Sequence, residues 1–568
     1  MAVNESSIST AATIFDIHFL QDSICAELSP RDLRRCCLVS RDFYQNFTPY
    51  LYRSINISRR SVFKKFCTPE SLAALGRHCD LVTEFTCVFA KVWKLLLDQR
   101  CFNLEVLNSP SLQYRLQNRE VNKLQLCHII ALTRSCPRLR VIELSHFWYS
   151  DENVDQFCSA IRDHDQLREV KIDHFDYVSC NQTRKMLWSA FKLHRFSLNV
   201  MVSHYHQRHI DGLEAERLIA LTGTTDPVFA LRDLSLLCKI HYYEADTLFR
   251  FIRPCPHVER LAIPSMDAAR YLPEMASVIA SNMPNLQHLN LQQLTAAPGL
   301  IVQLISACNN LRSFVGSPGQ ARVSEVYKAL LNHRETLEEL NLIGGHRTSS
   351  HYIQTLLSSC PKLEVFEAMG LCFKHWKETP KQKMSDPILL AESMLRYAGP
   401  WACQNLRVLK LRFAGTEKSD EGGDDSGNHE SDEDGDNEED GVGSPEEVFP
   451  RVLYEQISQL SELEVLWLGR VERVLTTLDP IALADYISSG NEIGVADEQS
   501  TTLDEYGHRS KATLRLEALR CNVRDGLVEL TKLRHLKQLE LRNMKPYISW
   551  ADFRATKSSW RSLDWHYN

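Results

Sequence analysis

His204, His206 and His209, followed by Asp211, have the spacing of a possible metal-binding cluster in this chain of 568 residues. Imidazoles two or three residues apart can converge on a divalent ion, with a carboxylate completing the set. No cysteine lies close to them, and histidine is plentiful, with 21 in the chain, so a polar loop is the better reading. The 18 cysteines could supply thiolate ligands or disulfides, but no pair has the CxxC spacing of a zinc site. Met1 to Thr13 is polar and has no basic region followed by an apolar one, so no secretory signal is expected. The thiols are therefore expected to be reduced, and the protein intracellular, cytoplasmic and/or nuclear. No apolar run approaches the roughly 18 residues of a membrane span. The phosphate-binding GxGxxG and P-loop patterns are absent, as are HExxH and GxSxG. Neither catalytic residues nor a cofactor or metal is expected, and the chain reads as a non-enzyme.

What chemistry remains is recognition. Lys410, Arg412, Trp467, Arg520 and Arg542 combine cations with a large aromatic, the residue types that most often dominate binding energy. They are candidate substrate-binding residues if one surface gathers them. The formal net charge is -7, yet the stretch from Glu417 to Glu447 holds fifteen acidic residues and one lysine, a local net of -14. The rest of the chain is therefore +7. That stretch is almost without apolar residues, so residues 416–447 are expected to form a disordered acidic insertion. It is expected to act as a tether, or as a screen for the basic cluster. Ser431, followed by Asp432, Glu433 and Asp434, would suit an acidophilic kinase. A second irregular stretch, Ser488 to Lys511, is expected to be a loop.

The elements that must position these residues follow from a recurring cadence, Leu-x-x-Leu-x-Leu. Clear copies start at Leu139, Leu286, Leu337, Leu363, Leu406 and Leu463, and weaker ones at Leu104, Leu167, Leu193, Leu231, Val258, Leu311, Leu516 and Leu536. From Val258 to Leu363 the starts fall 28, 25, 26 and 26 residues apart. Such a period marks a leucine-rich-repeat solenoid. The second and third apolar residues alternate with polar ones, as in a short strand with one buried face. The remaining residues suffice for a returning helix, and Tyr327–Leu331 and Ile353–Leu357 have helical apolar spacing. One such unit cannot bury its apolar face alone and must stack on its neighbours. The expected fold is thus α/β, a solenoid of horseshoe type over residues 56–568. Trp550, Trp560 and Trp565 would belong to a C-terminal cap. In each strand the residue between the apolar pair would face the concave side, from Glu143 near one end to Lys410, Trp467, Arg520 and Glu540 near the other.

Cys136, Cys255, Cys308, Cys360 and Cys403 each stand three residues before a repeat's first apolar residue, and three of them precede proline. A small buried side chain ends the helix there, and proline stops its continuation. With the cadence, this resembles the cysteine-containing class of leucine-rich repeats, common behind F-boxes. Residues 14–55 lie outside the repeat register, behind a disordered segment at 1–13, and read as three short helices. The first carries Ile17, Leu20, Ile24 and Leu28 as one apolar stripe. Ser29-Pro30-Arg31-Asp32 starts the second: serine caps it, proline suits the first turn and aspartate the positive dipole end. The third starts at Ser40, carries Phe43 and Phe47, and is expected to stop near Thr48-Pro49.

The string from Leu28 through Ser29, Pro30, Leu33, Cys36, Val39 and Arg41 resembles the middle of an F-box, and Pro49 to Ile55 its ending before a repeat array. The usual Leu-Pro opening is replaced by Thr13-Ile14-Phe15-Asp16-Ile17, which implies weaker docking. The resemblance implies a substrate-recognition subunit of a Skp–cullin–F-box ubiquitin ligase. Leu20, Ile24, Leu28, Pro30, Leu33, Leu38 and Val39 would meet the Skp-type adaptor and, through it, a cullin–RING ligase. The repeats would hold a protein substrate, and isopeptide chemistry would occur on other subunits, with this chain a monomer within the complex. No nucleic acid or membrane partner is implied. The alternative is a non-catalytic leucine-rich-repeat scaffold whose N-terminal helices only cap the solenoid. A repeat-type GTPase activator is a further class, disfavoured because no lone arginine stands out on a strand loop.

Overall fold

A computed structural model describes residues 18–110, 119–145, 151–178, 180–202, 228–236, 239–240, 249, 251–263, 265–266, 272–292, 298–317, 323–343, 350–368, 389–390, 400–414, 453–470, 527–542 and 564–566. The histidine cluster, residues 1–13 with Ile17, the acidic stretch, Ser488–Lys511, Leu516, Arg520, Trp550 and Trp560 lie outside the described residues. The chain is α/β and falls into two units, one comprising residues 1–295 with 307–309 and the other 296–306 with 310–568.

The first unit opens with three helices, α1 (His18–Glu27), α2 (Pro30–Cys36) and α3 (Arg41–Arg53). Ser29 caps α2, its hydroxyl accepting from the Asp32 amide at 3.3 Å, and Ser40 caps α3 by accepting from Phe43 at 3.1 Å. Contrary to expectation, α3 does not stop at Pro49 but runs through it to Arg53. Proline removes one helical hydrogen bond, yet packing outweighs the loss, because Tyr50 and Leu51 beyond it lie on the core of this three-helix unit. Thr48 Oγ1 donates to the Tyr44 carbonyl at 2.5 Å, adding a local tie beside the missing bond.

Helix α3 passes directly into β1 (Ser54–Ile57), the first of a parallel ladder. It continues through β2 (Glu84–Cys87), β3 (Val106–Ser109), β4 (Val141–Ser145), β5 (Glu169–Val178), β6 (Arg195–Val202) and β7 (Asp233–Leu236). Strands β8 (Lys239–Ile240) and β10 (Ser265–Met266) pair apart from it, while β9 (Arg260–Ala262) and β11 (His288–Asn290) carry the main ladder on. The second unit stacks β12 (Ser313–Gly316), β13 (Glu339–Leu342), β14 (Val365–Glu367), β16 (Val408–Ala414), β17 (Val465–Arg470), β18 (Gln538–Arg542) and β19 (Asp564–His566), again all parallel. The short β15 (Leu389–Leu390) adds to the end of β16. Helices lie between successive strands, among them Asp151–Asp163, Val323–Leu331 and Ser350–Ser359.

The cadence explains this layout. Its first apolar residue and the alternating pair that follows are buried in repeat after repeat, as with Leu139, Ile142 and Leu144, or Leu337, Leu340 and Leu342, all at 0% exposure. Each such side chain contributes on the order of 1.5–3 kcal/mol when fully buried. Between strands runs a second regular device. The residue after each first leucine offers its carbonyl to two amides of the next repeat: Glu105 O accepts from Arg140 and Val141 at 2.8 and 3.0 Å. Arg140 O serves Arg168 and Glu169 in the same way, and in the second unit Arg407 O serves Glu464 and Val465. In many repeats the residue three before the first leucine ends the helix in the core. Cys136, Cys255, Cys360 and Cys403 are there at 0% exposure, and Cys308 at 4%.

Candidate interaction surfaces

The three N-terminal helices close on a core of Cys25, Leu33, Cys37 and Phe47, with Leu28, Cys36, Phe43, Tyr50 and Leu51 packed against it. Helix α1 does not present the whole expected stripe to that core. It turns Gln21, Cys25 and Leu28 inward, at spacings of four and three, and leaves Leu20 and Ile24 at 38% and 39% exposure. Two hydrogen bonds fix this rotation. Gln21 Nε2 donates to the Asn46 carbonyl at 2.8 Å, and the Tyr50 hydroxyl donates to Asp22 Oδ1 at 2.7 Å. Burial, and then the Asp22 contact, push the Tyr50 phenol up to about 12, so it keeps its proton at neutral pH.

Of the other residues expected on a docking face, Pro30 is exposed, and Leu38 and Val39 are exposed at 78% and 68%. Both lie in the turn after α2, held by amides donated from Leu38 to Arg35 and from Val39 to Cys36, each at 3.0 Å. Leu33 departs from the expectation. It is 6% exposed because, with Cys37 four residues on, it forms the inward face of α2 and belongs to the core. Leu28 is half-buried against the same core. Among the large aliphatic residues expected on a docking face, those exposed are thus Leu20 and Ile24 on α1, and Leu38 and Val39 on the turn after α2.

The three-helix unit is also joined to the first strands. The Tyr52 ring packs on His78 with centroids 4.4 Å apart, and the Tyr44 hydroxyl meets His78 Nε2 at 3.4 Å. The Thr83 amide donates to the Arg53 carbonyl at 3.0 Å.

In the second unit, strand register aligns Glu367, Lys410, Trp467 and Glu540 on neighbouring strands. Lys410 was expected to offer its charge to a ligand. Its Nζ instead lies 2.6 Å from Glu367 Oε1, while Asn341 Nδ2 donates to Glu367 Oε2 at 3.0 Å. The row Asn341–Glu367–Lys410 therefore satisfies itself. Trp467 sits in this row yet is only 3% exposed, so it fills space among its neighbours rather than offering a free aromatic face. One step on, the backbone of Gly469 lies between those of Arg412 and Arg542, which places the two arginines two strand spacings apart, roughly 10 Å. The side chains of Arg412 and Arg542 are outside the described set.

The thiols are poor candidates for chemistry. Burial pushes Cys87, Cys101, Cys136, Cys308, Cys360 and Cys403 up to about 12, so none carries appreciable thiolate at neutral pH. The helix-ending position is not reserved for cysteine. His164 occupies it in another repeat, where Nε2 donates to the Cys136 carbonyl at 2.9 Å and Nδ1 accepts from the Leu167 amide at 3.1 Å. His333 Nε2 donates to the Ile305 carbonyl at 3.1 Å in a similar setting. Among the described residues no group of three or more His, Cys, Asp or Glu could hold a metal ion, and no helix is long and apolar enough to cross a membrane. No protein-family model matches the chain, and no curated protein matches it.

Proposed function

We propose that the chain is the substrate-recognition subunit of a Skp–cullin–F-box type ubiquitin ligase, with an F-box over α1–α3 and a leucine-rich-repeat solenoid behind it. One observation carries the reading. The three-helix unit has an internal core of its own and still leaves Leu20, Ile24, Leu38 and Val39 outside it. Helices serving only to cap the first repeat would be expected to turn such side chains onto that repeat. Apolar residues on an otherwise polar small unit suit burial under a partner protein. In this reading the adaptor covers them, and the continuous passage from α3 into β1 holds the repeats in a fixed direction from the adaptor. The repeats hold a protein substrate and the chain itself does no bond chemistry. It acts by proximity, raising the effective concentration of substrate lysines near a charged conjugating enzyme.

The test is co-purification of the full chain with a Skp-type adaptor, for the wild type and for Ile24→Asp. A carboxylate at this half-exposed position should abolish capture while the far-ultraviolet circular dichroism stays unchanged. Failure of the wild-type chain to bind any such adaptor would leave the scaffold reading, with the helices as a cap tied on through Tyr44, Tyr52 and His78.

A further inference from the structure

Along the ladder edge that carries the carbonyl row, charges of opposite sign mostly sit side by side. In the second unit Arg312 pairs with Glu338 at 3.3 Å, and Arg407 and Lys537 both reach Glu464 at 2.9 Å. The first unit breaks this rule at one place. Four successive repeats put Arg140, Arg168, His194 and Arg232 in the same position, linked amide to carbonyl at 2.8–2.9 Å. All four are exposed. At the ends of the row the carboxylate contacts are loose, Arg140 with Glu105 at 4.0 Å and Arg232 with Glu259 at 3.7 Å, and both arginine side chains stay mostly exposed. In the next row the carboxylates of Glu169 and Asp233 are taken by Arg195 at 3.5 Å and Arg260 at 3.6 Å. Among the described residues no carboxylate lies within ion-pair distance of Arg168. Like charges on adjacent strands, about 4.8 Å apart, repel one another and cost stability. An anion laid across them would reverse that cost.

We propose that Arg168, His194 and Arg232 form a docking site for an anionic peptide segment of a partner protein. Arg168 and Arg232 stand one strand on either side of His194 in the ladder, so one phosphate, or two neighbouring carboxylates, can bridge the two arginines across His194. Phosphate and clustered carboxylate share this chemistry. Nucleic acid fits less well, because duplex binding typically engages about six to ten phosphates, and this row offers two guanidiniums and one imidazole over roughly 10 Å. Burial, and then Arg168 and Arg232, hold the His194 imidazolium below its ordinary value of 6.5. A bound anion opposes the two arginines and favours the proton. Affinity should therefore rise as the pH falls through the His194 titration, while Glu169 and Asp233 in the next row are engaged by Arg195 and Arg260.

The site lies on the repeats and is independent of adaptor docking. It is tested on the full chain with a short fluorescein-labelled peptide of alternating serine and glutamate, with and without one central phosphoserine. Binding is followed by anisotropy at several salt concentrations. Arg168→Gln with Arg232→Gln should weaken binding at least about tenfold, the scale of one charge-assisted hydrogen bond. Arg138→Gln, an exposed cation nearby but outside the row, should leave binding within about twofold. A phosphate-dependent signal assigns the site to phosphopeptides, and equal binding of both peptides to acidic segments. In the wild type, the His194 ring resonance should titrate at higher pH with peptide present. Binding by neither peptide, equal losses in the row and control variants, or an unmoved His194 titration would each overturn the proposal.

Discussion

Leu38 offers the sharpest quantitative test of the apolar surface on the three-helix unit. It is 78% exposed, so truncating it to alanine removes almost nothing that folding had buried. The expected change in unfolding free energy is within about 0.5 kcal/mol, as for an ordinary surface site. If a partner covers it, about three quarters of a leucine's burial energy is gained on docking rather than on folding. A fully buried leucine is worth roughly 1.5–3 kcal/mol, so Leu38→Ala should cost on the order of 1–2 kcal/mol of adaptor affinity. That corresponds to a dissociation constant about five- to thirtyfold higher. Isothermal calorimetry of the full chain with a Skp-type adaptor measures the change, and urea melts measure stability in parallel. The contrast is with Leu33→Ala, which opens a cavity in the core and should cost about 2–5 kcal/mol of stability. Unchanged affinity for Leu38→Ala, and for Leu38→Ala with Val39→Ala, would refute the idea that this turn lies beneath a partner.

Trp467→Ala should behave as a core truncation, losing about 3–5 kcal/mol in a denaturant melt; a loss of ligand affinity with stability intact would contradict the burial described above. His333 is held below the ordinary histidine value by burial, partly offset by its bond to the Ile305 carbonyl. The unfolded chain therefore takes up the proton first, and the stability lost as pH falls below about 6.5 should be smaller in His333→Gln. Melts of both proteins at about pH 7.5 and about pH 5.5 check this, and identical pH slopes would exclude His333 as a contributor.

The repeats were legible because leucine at three fixed places is a strong signal, and the strands at Leu139, Leu337 and Leu463 fall where the cadence puts them. The first two strands were missed for a chemical reason. Tyr52, Ile55 and Ile57, then Val82, Phe85 and Cys87, fill the same places without a single leucine. The helix-ending position also holds His164, Cys79 and Cys101, which stand before weaker or leucine-free copies of the cadence. On α1 the pattern of hydrophobicity pointed to Leu20 and Ile24. The packed face instead uses Gln21 and Cys25, a choice made by the Asn46 and Tyr50 contacts, which sequence spacing does not reveal. The Glu367–Lys410 pair was within reach. The two occupy the same place in successive repeats, and aligned opposite charges on adjacent strands are expected to meet.

The carbonyl row along the ladder sets a fixed step between neighbouring strands whatever the length of chain that joins them. Asn341 and Glu367 touch across 26 residues, Arg407 and Glu464 across 57, and Lys537 and Glu464 across 73. In each case the amide-to-carbonyl contact between repeats is 2.7–2.8 Å. Pitch is thus decoupled from contour length. Closing a longer connection costs only about 0.6 kcal/mol per doubling of its length, so a ladder of this kind can accept grafted or expanded segments between strands without changing its own spacing. The joins after β16 and β17 are accordingly natural ports for an engineered module.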